Sequence, residues 1–238
     1  MTGGAGVRAM ILAAGRGARM RELTDGLPKP MIPVAGRPLI EYHLMNLARA
    51  GVRQVVINLG WHGDRIRDGI GEGRRFDLHV KYSDEGWPAL ESGGGIFNAL
   101  PLLGAGPFVV VNGDVYSDYP LARLVERARA LPQDINAHLI MVPNPPHNPR
   151  GDFALVEGGV LNSTNGDERG RSTFSGLSVH RPDFFAGCTP GHFPLLPLWR
   201  AAADRRELTG ELWDGKWSDV GTPERLAELE HSLSRRLG

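Results

Sequence analysis

The sequence predicts an α/β fold in which helices flank a mainly parallel mixed sheet. Three observations carry that expectation. Short apolar runs recur through the first half of the chain, each closed by a glycine or a polar turn. Segments of helical periodicity separate those runs. Strand and helix therefore alternate, which builds βαβ units with right-handed crossovers and parallel strands.

The elements follow in order. Val7 to Ala13 is apolar and closes in Ala14-Gly15-Arg16-Gly17, a buried strand ending in a glycine turn. Leu39, Ile40, Leu44, Leu47 and Ala48 repeat at helical spacing, so Leu39 to Ala50 is a helix that Gly51 stops. Gln54 to Asn58 is a second buried strand, Trp61 to Ile70 a helix and Leu78 to Tyr82 a third strand. Gly95 to Leu103 reads as helix and Pro107 to Asn112 as the fourth strand. Beyond residue 135 the alternation loosens. Ala137 to Val142 is a strand, and the prolines of Pro143 to Pro149 make a loop, because they cannot continue a ladder. Phe153 to Val156, Val160 to Asn162 and Phe174 to His180 are short strands. Trp199 to Glu207 is a helix. Thr222 caps a last one, with Pro223 in its first turn and Arg225 to Leu237 as its body.

Composition narrows the function classes. Lys+Arg 27 against Asp+Glu 27 leaves no net charge, which argues against a dedicated nucleic-acid binder or a polybasic membrane anchor. No apolar run reaches the length of a membrane span, and the N-terminus has no signal-peptide core. The single Cys188 forms no internal disulfide, and no Cys/His spacing suggests zinc. A cytoplasmic protein with no nucleic-acid or membrane partner is the expectation. Gly 32 and Pro 18 are high, but they punctuate apolar runs and so mark tight turns. Only Lys29, Lys81 and Lys216 are lysines.

Candidate chemistry sits at strand ends. In Leu12 to Met20, the glycines after the first strand let backbone N–H groups approach a phosphate, and Arg16 and Arg19 add charge. A plain βα turn is the simpler reading of a lone G-x-G. The dinucleotide fingerprint needs glycine where Met20 stands, and no Gly-Lys-Ser/Thr marks a P-loop. Pro28-Lys29-Pro30 holds a lysine in a stiff loop, suited to a phosphate or simply solvated. Three glycines follow Glu91-Ser92, suiting a backbone packed on a base or a flexible hinge. Asn112-Gly113-Asp114 puts a carboxylate past a buried strand, where ligands of open α/β sheets gather. An Asp there suits Mg²⁺, although the same tripeptide makes an ordinary turn. Asp219, just before the last helix, is either a second metal carboxylate or a helix-entry residue.

Taken in order, these motifs resemble the sugar-1-phosphate nucleotidyltransferases. The resemblance runs through Leu12 to Met20, Pro28-Lys29-Pro30, Leu90 to Gly94, Asn112-Gly113-Asp114, Phe174-Ser175-Gly176 and Trp217 to Thr222. In finer detail the chain is similar to the short N-acetylmuramate α-1-phosphate uridylyltransferases of peptidoglycan recycling. That likeness rests on Val34 to Leu44, Glu91 to Phe97, Asn112 to Val115, Arg150 to Phe153 and Thr173 to Gly176, while Asp84 to Leu90 is slightly longer here.

The resemblance implies a Rossmann-like nucleotidyltransferase fold in one domain, residues 1–238. Residues 8–135 would be the nucleotide half and 136–238 the sugar half with the C-terminal helix. It implies transfer of a nucleotidyl group from an NTP, UTP favoured, to a sugar 1-phosphate, with Mg²⁺ as cofactor and pyrophosphate leaving. Arg19 and Lys29 would be catalytic. Ala13, Ala14, Gly15, Gly17, Glu85, Ser92, Gly93, Gly94 and Asn112 would bind the nucleotide. Arg150, Gly151, Asp152, Thr173 and Ser175 would lie by the sugar, Arg150 facing a lactyl carboxylate. Asp114 and Asp219 would hold the metal. No β-helix domain of the larger relatives is present, so a monomer or weak dimer is expected. A GTP-dependent mannose-1-phosphate guanylyltransferase, a cytidylyltransferase and a non-catalytic regulatory subunit remain alternatives.

Overall fold

A computed structural model describes residues 6–156, 159–162 and 170–234. The strands are β1 Ala9–Leu12, β2 Pro33–Val34, β3 Arg37–Pro38, β4 Gln54–Leu59, β5 His79–Asp84, β6 Phe108–Asn112, β7 Val115–Ser117, β8 Ala137–Val142, β9 Phe153–Leu155, β10 Leu161–Asn162, β11 Arg171–His180, β12 Leu208–Leu212 and β13 Trp217–Asp219. The helices are α1 Leu39–Arg49, α2 Gly63–Ile70, α3 Glu91–Leu103, α4 Leu121–Arg129, α5 Leu196–Asp204 and α6 Pro223–Ser234.

The expected mainly parallel sheet is present. β5, β4, β1 and β6 lie side by side, all parallel. β11 then runs antiparallel beside β6 and pairs with β8 and β9. β8 carries β12 in parallel, and β9 carries β10. Successive residues of the parallel strands face opposite layers. Ala9, Ile11, Val55, Ile57, Val109 and Val111 pack with α1, α2 and α4. Met10, Val56 and Val110 face α3 and α5. Both faces are therefore covered, which is why these strands read as continuous apolar runs. A third apolar cluster joins Met20, Ile32, Val34 and Leu39 to Val220, Leu229 and Leu233.

Several boundaries differ from the sequence expectation. α3 begins at Glu91, so the three glycines lie within its first turns and not ahead of it. α5 is Leu196–Asp204, shifted toward the N-terminus because Pro197 occupies its first turn. α4 was not expected, although Leu121, Leu124, Val125 and Ala128 are its buried stripe. β12 and β13 were not expected either. Gly210 interrupts the apolar pattern of β12, and a Cβ there would stand 2.8 Å from the Leu139 carbonyl oxygen. At α6 the Thr222 hydroxyl accepts the Arg225 N–H at 3.4 Å, as a cap does. The expected helix end at Leu237 lies outside the described residues.

Candidate active site

β1 stands where the strand order reverses: the chain leaves it for β4 on one side and returns to β6 on the other. Loops after β1 and β6 thus diverge and leave a crevice at the carboxyl ends of the strands. A cavity of about 510 Å³ opens there, and Gly15, Arg16, Lys29, Glu85, Asn112 and Asp114 are in its wall.

The loop after β1 is fixed at its root. The Ala13 N–H donates to Asn58 Oδ1 at 2.6 Å. Gly15 then faces open space. Gly17 turns with φ +65°, and a Cβ on it would lie 3.0 Å from the Lys29 side chain. A side chain at 17 would be strained in backbone and in space at once. Lys29 is consequently no solvated loop residue. It is 6% exposed, its stem lies under Gly17, and its Nζ meets Asp114 Oδ2 at 2.6 Å. The Asp114 side chain keeps 40% of its surface exposed, toward the cavity. Arg19 is exposed on the 3₁₀ segment Ala18–Thr24 and does not line the cavity.

The opposite wall is held by Glu85. Its Oε1 accepts from Asn58 Nδ2 at 2.7 Å and its Oε2 from the Leu90 N–H at 2.8 Å. Burial pushes its carboxyl above the usual range, and these two donors pull it back. Asn58 therefore links the root of the β1 loop to this wall, a role the sequence reading missed. A polar residue inside the apolar run 55–59 was the available signal. Ser92 lines the cavity, its hydroxyl accepting the Leu195 N–H at 3.1 Å. Gly93 and Gly94 do not line it. A Cβ on Gly93 would meet the Phe193 ring at 2.6 Å, and one on Gly94 would collide with the Gly191 carbonyl oxygen. These glycines admit another stretch of the chain, where the sequence suggested a nucleotide.

Asp114, in the turn just before β7, and Asp219, the last residue of β13, are far apart in sequence and are brought together by the pairing of these two strands. β7 pairs with β13 so that Asp219 stands opposite Val115, and the Val220 N–H donates to the Asp114 carbonyl oxygen at 2.8 Å. Asp219 Oδ1 is held by Arg225 at 2.7 Å and His147 at 3.0 Å, two residues not foreseen. Among the described residues no group of three or more His, Cys, Asp or Glu forms a metal cage. Asp114 lines the cavity and Asp219 does not. A hard carboxylate at the cavity wall fits Mg²⁺, which takes one or two carboxylates and completes its shell with phosphate and water.

The five residues expected near the sugar lie elsewhere than the cavity wall. Asp152 accepts the Phe174 N–H at 2.8 Å and Asn148 Nδ2 at 3.2 Å. The Thr173 hydroxyl donates to Asn144 Oδ1 at 2.9 Å. Gly151 turns with φ +62° against Asn144 and Arg171. Ser175 is fully buried, and its hydroxyl accepts the Leu177 N–H at 3.2 Å. These groups tie the proline-rich loop to β11. Arg150 is exposed at the adjoining turn and already has a partner.

Comparison with known proteins settles the family. The nucleotidyl transferase family pattern matches residues 8–157, which span β1 to β9 and hence the whole cavity wall up to β6. The chain belongs to the nucleotidyl transferase family. Among its relatives in this family, N-acetylmuramate alpha-1-phosphate uridylyltransferase of Neisseria meningitidis is 46% identical, over 94% of this chain and 97% of that protein. The Caulobacter vibrioides protein of the same name is 33% identical over 95% and 96%. A mannose-1-phosphate guanylyltransferase of Mycobacterium tuberculosis is 35% identical over 58% of this chain and only 38% of its own length. A solved structure, a putative glucose-1-phosphate thymidylyltransferase from Bacillus anthracis, superposes over 96% of this chain with TM-score 0.83 at 20% identity, which shows the shared fold.

Proposed function

We propose that this protein transfers the uridylyl group of UTP to N-acetylmuramic acid α-1-phosphate and releases pyrophosphate. The geometry that carries the reaction class is Lys29, buried beside the glycine loop and in contact with Asp114 at the sheet's switch point. Phosphoryl chemistry asks a protein mainly for positioning and charge neutralisation. An oxygen of the sugar phosphate attacks the α-phosphorus of UTP, and the bond to the bridging oxygen of pyrophosphate breaks. The glycine loop positions the phosphate chain, and Lys29 faces the α-phosphate. Arg19, exposed beside that loop, faces the departing pyrophosphate. Asp114 and Asp219 would hold Mg²⁺, which when bound would neutralise charge on the phosphates. No covalent intermediate on the chain is needed.

What supports the substrate pair is identity over nearly the full length of both uridylyltransferases. The guanylyltransferase match stops at little more than a third of that relative. Residues 8–135 then form the nucleotide half, and the sugar lies beyond Asp114 on the β11 side. Arg150, exposed at the turn beside the proline-rich loop, is the side chain we assign to the lactyl carboxylate. A buried carboxylate without a donor would be costly. Arg150→Ala should then weaken the muramic acid substrate more than N-acetylglucosamine 1-phosphate, and equal losses would remove Arg150 from that role. No described helix is long and apolar enough to cross a membrane. A cytoplasmic monomer or weak dimer serving peptidoglycan recycling is the setting we propose.

The direct test is pyrophosphate release over UTP, GTP, CTP and dTTP against several sugar 1-phosphates. UTP with the muramic acid phosphate should be the best pair. Preference for GTP with mannose 1-phosphate would overturn the pair and leave nucleotidyl transfer standing.

A further inference from the structure

One part of the cavity wall has no role in the reaction as described. Trp87 lines the cavity, yet 54% of it is exposed, unusually much for the largest apolar side chain. Its ring packs against Trp61 with centroids 5.2 Å apart at 58°. Trp61 in turn is fastened to both ends of the phosphate loop. Its backbone N–H donates to the Ala14 carbonyl oxygen at 3.0 Å, and its indole Nε1–H to the Thr24 carbonyl oxygen at 2.9 Å. The guanidinium of Arg16, in the middle of that loop, lies over the Trp61 ring 4.6 Å from its centroid. An indole holds a cation in this way because its face is electron-rich.

Arg16, Trp61 and Trp87 thus form a continuous rail from the phosphate loop to the far wall. A nucleoside triphosphate has one planar aromatic part, and Trp87 is the one indole in the cavity wall. We propose that Trp87 supplies the stacking face for the nucleobase and that Trp61 is the positioning residue that ties this face to the phosphate loop. The assignment rests on the nucleotide-binding reading above and adds a residue to it. Stacking is tolerant of base identity, because every base has a π-face. Trp87 therefore contributes affinity, and base choice lies with other groups.

The test is calorimetric titration of the full-length protein with UTP, GTP, CTP and inorganic tripolyphosphate, which carries phosphates and no base, all with Mg²⁺. Trp87→Ala should weaken every nucleotide by roughly tenfold, the scale of one base stacked on an aromatic ring. It should leave tripolyphosphate unchanged, and Trp87→Phe should restore most of the nucleotide affinity. Trp61→Phe keeps a ring but loses the bond to Thr24, so it should weaken tripolyphosphate and UTP together. Unchanged UTP affinity in Trp87→Ala overturns the proposal. Equal loss for UTP and tripolyphosphate in that variant overturns it as well. A wild-type protein that binds no nucleotide overturns both this proposal and the reading on which it rests.

Discussion

Around β1, β4 and β6 polar groups converge on an open cavity; around β11 and the loop 143–152 they close on one another. Both regions carry the residue types that suggest a ligand: glycines, carboxylates and hydroxyls. In the first, Gly15 faces space and Asp114 is half exposed beside Lys29. In the second, Asn148 bridges Asp152 and Thr173, Thr173 bonds to Asn144, and Asp152 and Asn144 also bond to backbone. A motif therefore marks a place where backbone and side chain must be specified, and only the surroundings decide whether substrate or chain is being held. Substitutions in the first region should cost activity, and those in the second should cost stability.

The largest expected effect is at Asp114. Asp114→Asn keeps an acceptor for Lys29 and so the fold, but removes the charge that holds a metal. Turnover should fall on the order of a thousandfold, about 4 kcal/mol, at saturating Mg²⁺. Retention of a tenth of wild-type turnover would break the comparison at its strongest point. Next is Lys29. Because its stem is packed under Gly17, Lys29→Ala would confound packing with chemistry. Lys29→Met keeps the stem, and should lower turnover roughly a hundredfold with little change in melting temperature. A lowered melting temperature with normal turnover would make Lys29 structural.

Asp152→Ala should do the reverse. The Phe174 N–H loses its acceptor, which costs ~2 kcal/mol and a melting temperature several degrees lower. Turnover with saturating substrates should change only a few-fold. A hundredfold loss of turnover with an unchanged melting curve would turn this region into a substrate site.

The last effect is read in acid. Burial lowers the pKa of His43 and His138 to about 4 and that of His180 to about 3. The unfolded chain takes up these protons below pH 6.5, while the folded chain resists until near pH 4. Stability from this source is complete above pH 6.5 and is lost as pH falls toward 4. Two of the three histidines lie on β8 and β11, so at pH 5 amide protection should decline there before it declines on β1 and β4. Simultaneous decline, followed by hydrogen exchange, would show that the two regions open as one unit.

The parallel strands were legible because each needs only its own apolar run and a turn. The loop after β1 was legible for the same reason. What depends on distant segments was not. The glycines of α3 look alike whether a base or residues 191–193 pack on them. Lys29 looks solvated until Gly17 and Asp114, which lies 85 positions away, close around it. The hydrogen bonds that Asp152, Thr173 and Ser175 make within the chain are likewise invisible in one dimension. Trp87 and Asn58 left weaker traces: an aromatic in a turn and a polar side chain in an apolar strand. α4 has a plain helical stripe in Leu121, Leu124, Val125 and Ala128, with no chemistry-bearing motif beside it.

The small cluster that joins Met20 to Leu229 and Leu233 sets an order of events in the making of the protein. Synthesis begins at the N-terminus, so the four parallel strands have all been made once residue 112 is added. Met20, which anchors the segment following the glycine loop, still lacks α6. Closing so long a stretch of chain comes late in folding. A ribosome-bound chain therefore carries the outline of the cleft before the segment around Met20 is fully packed, and that packing is complete only when α6 docks.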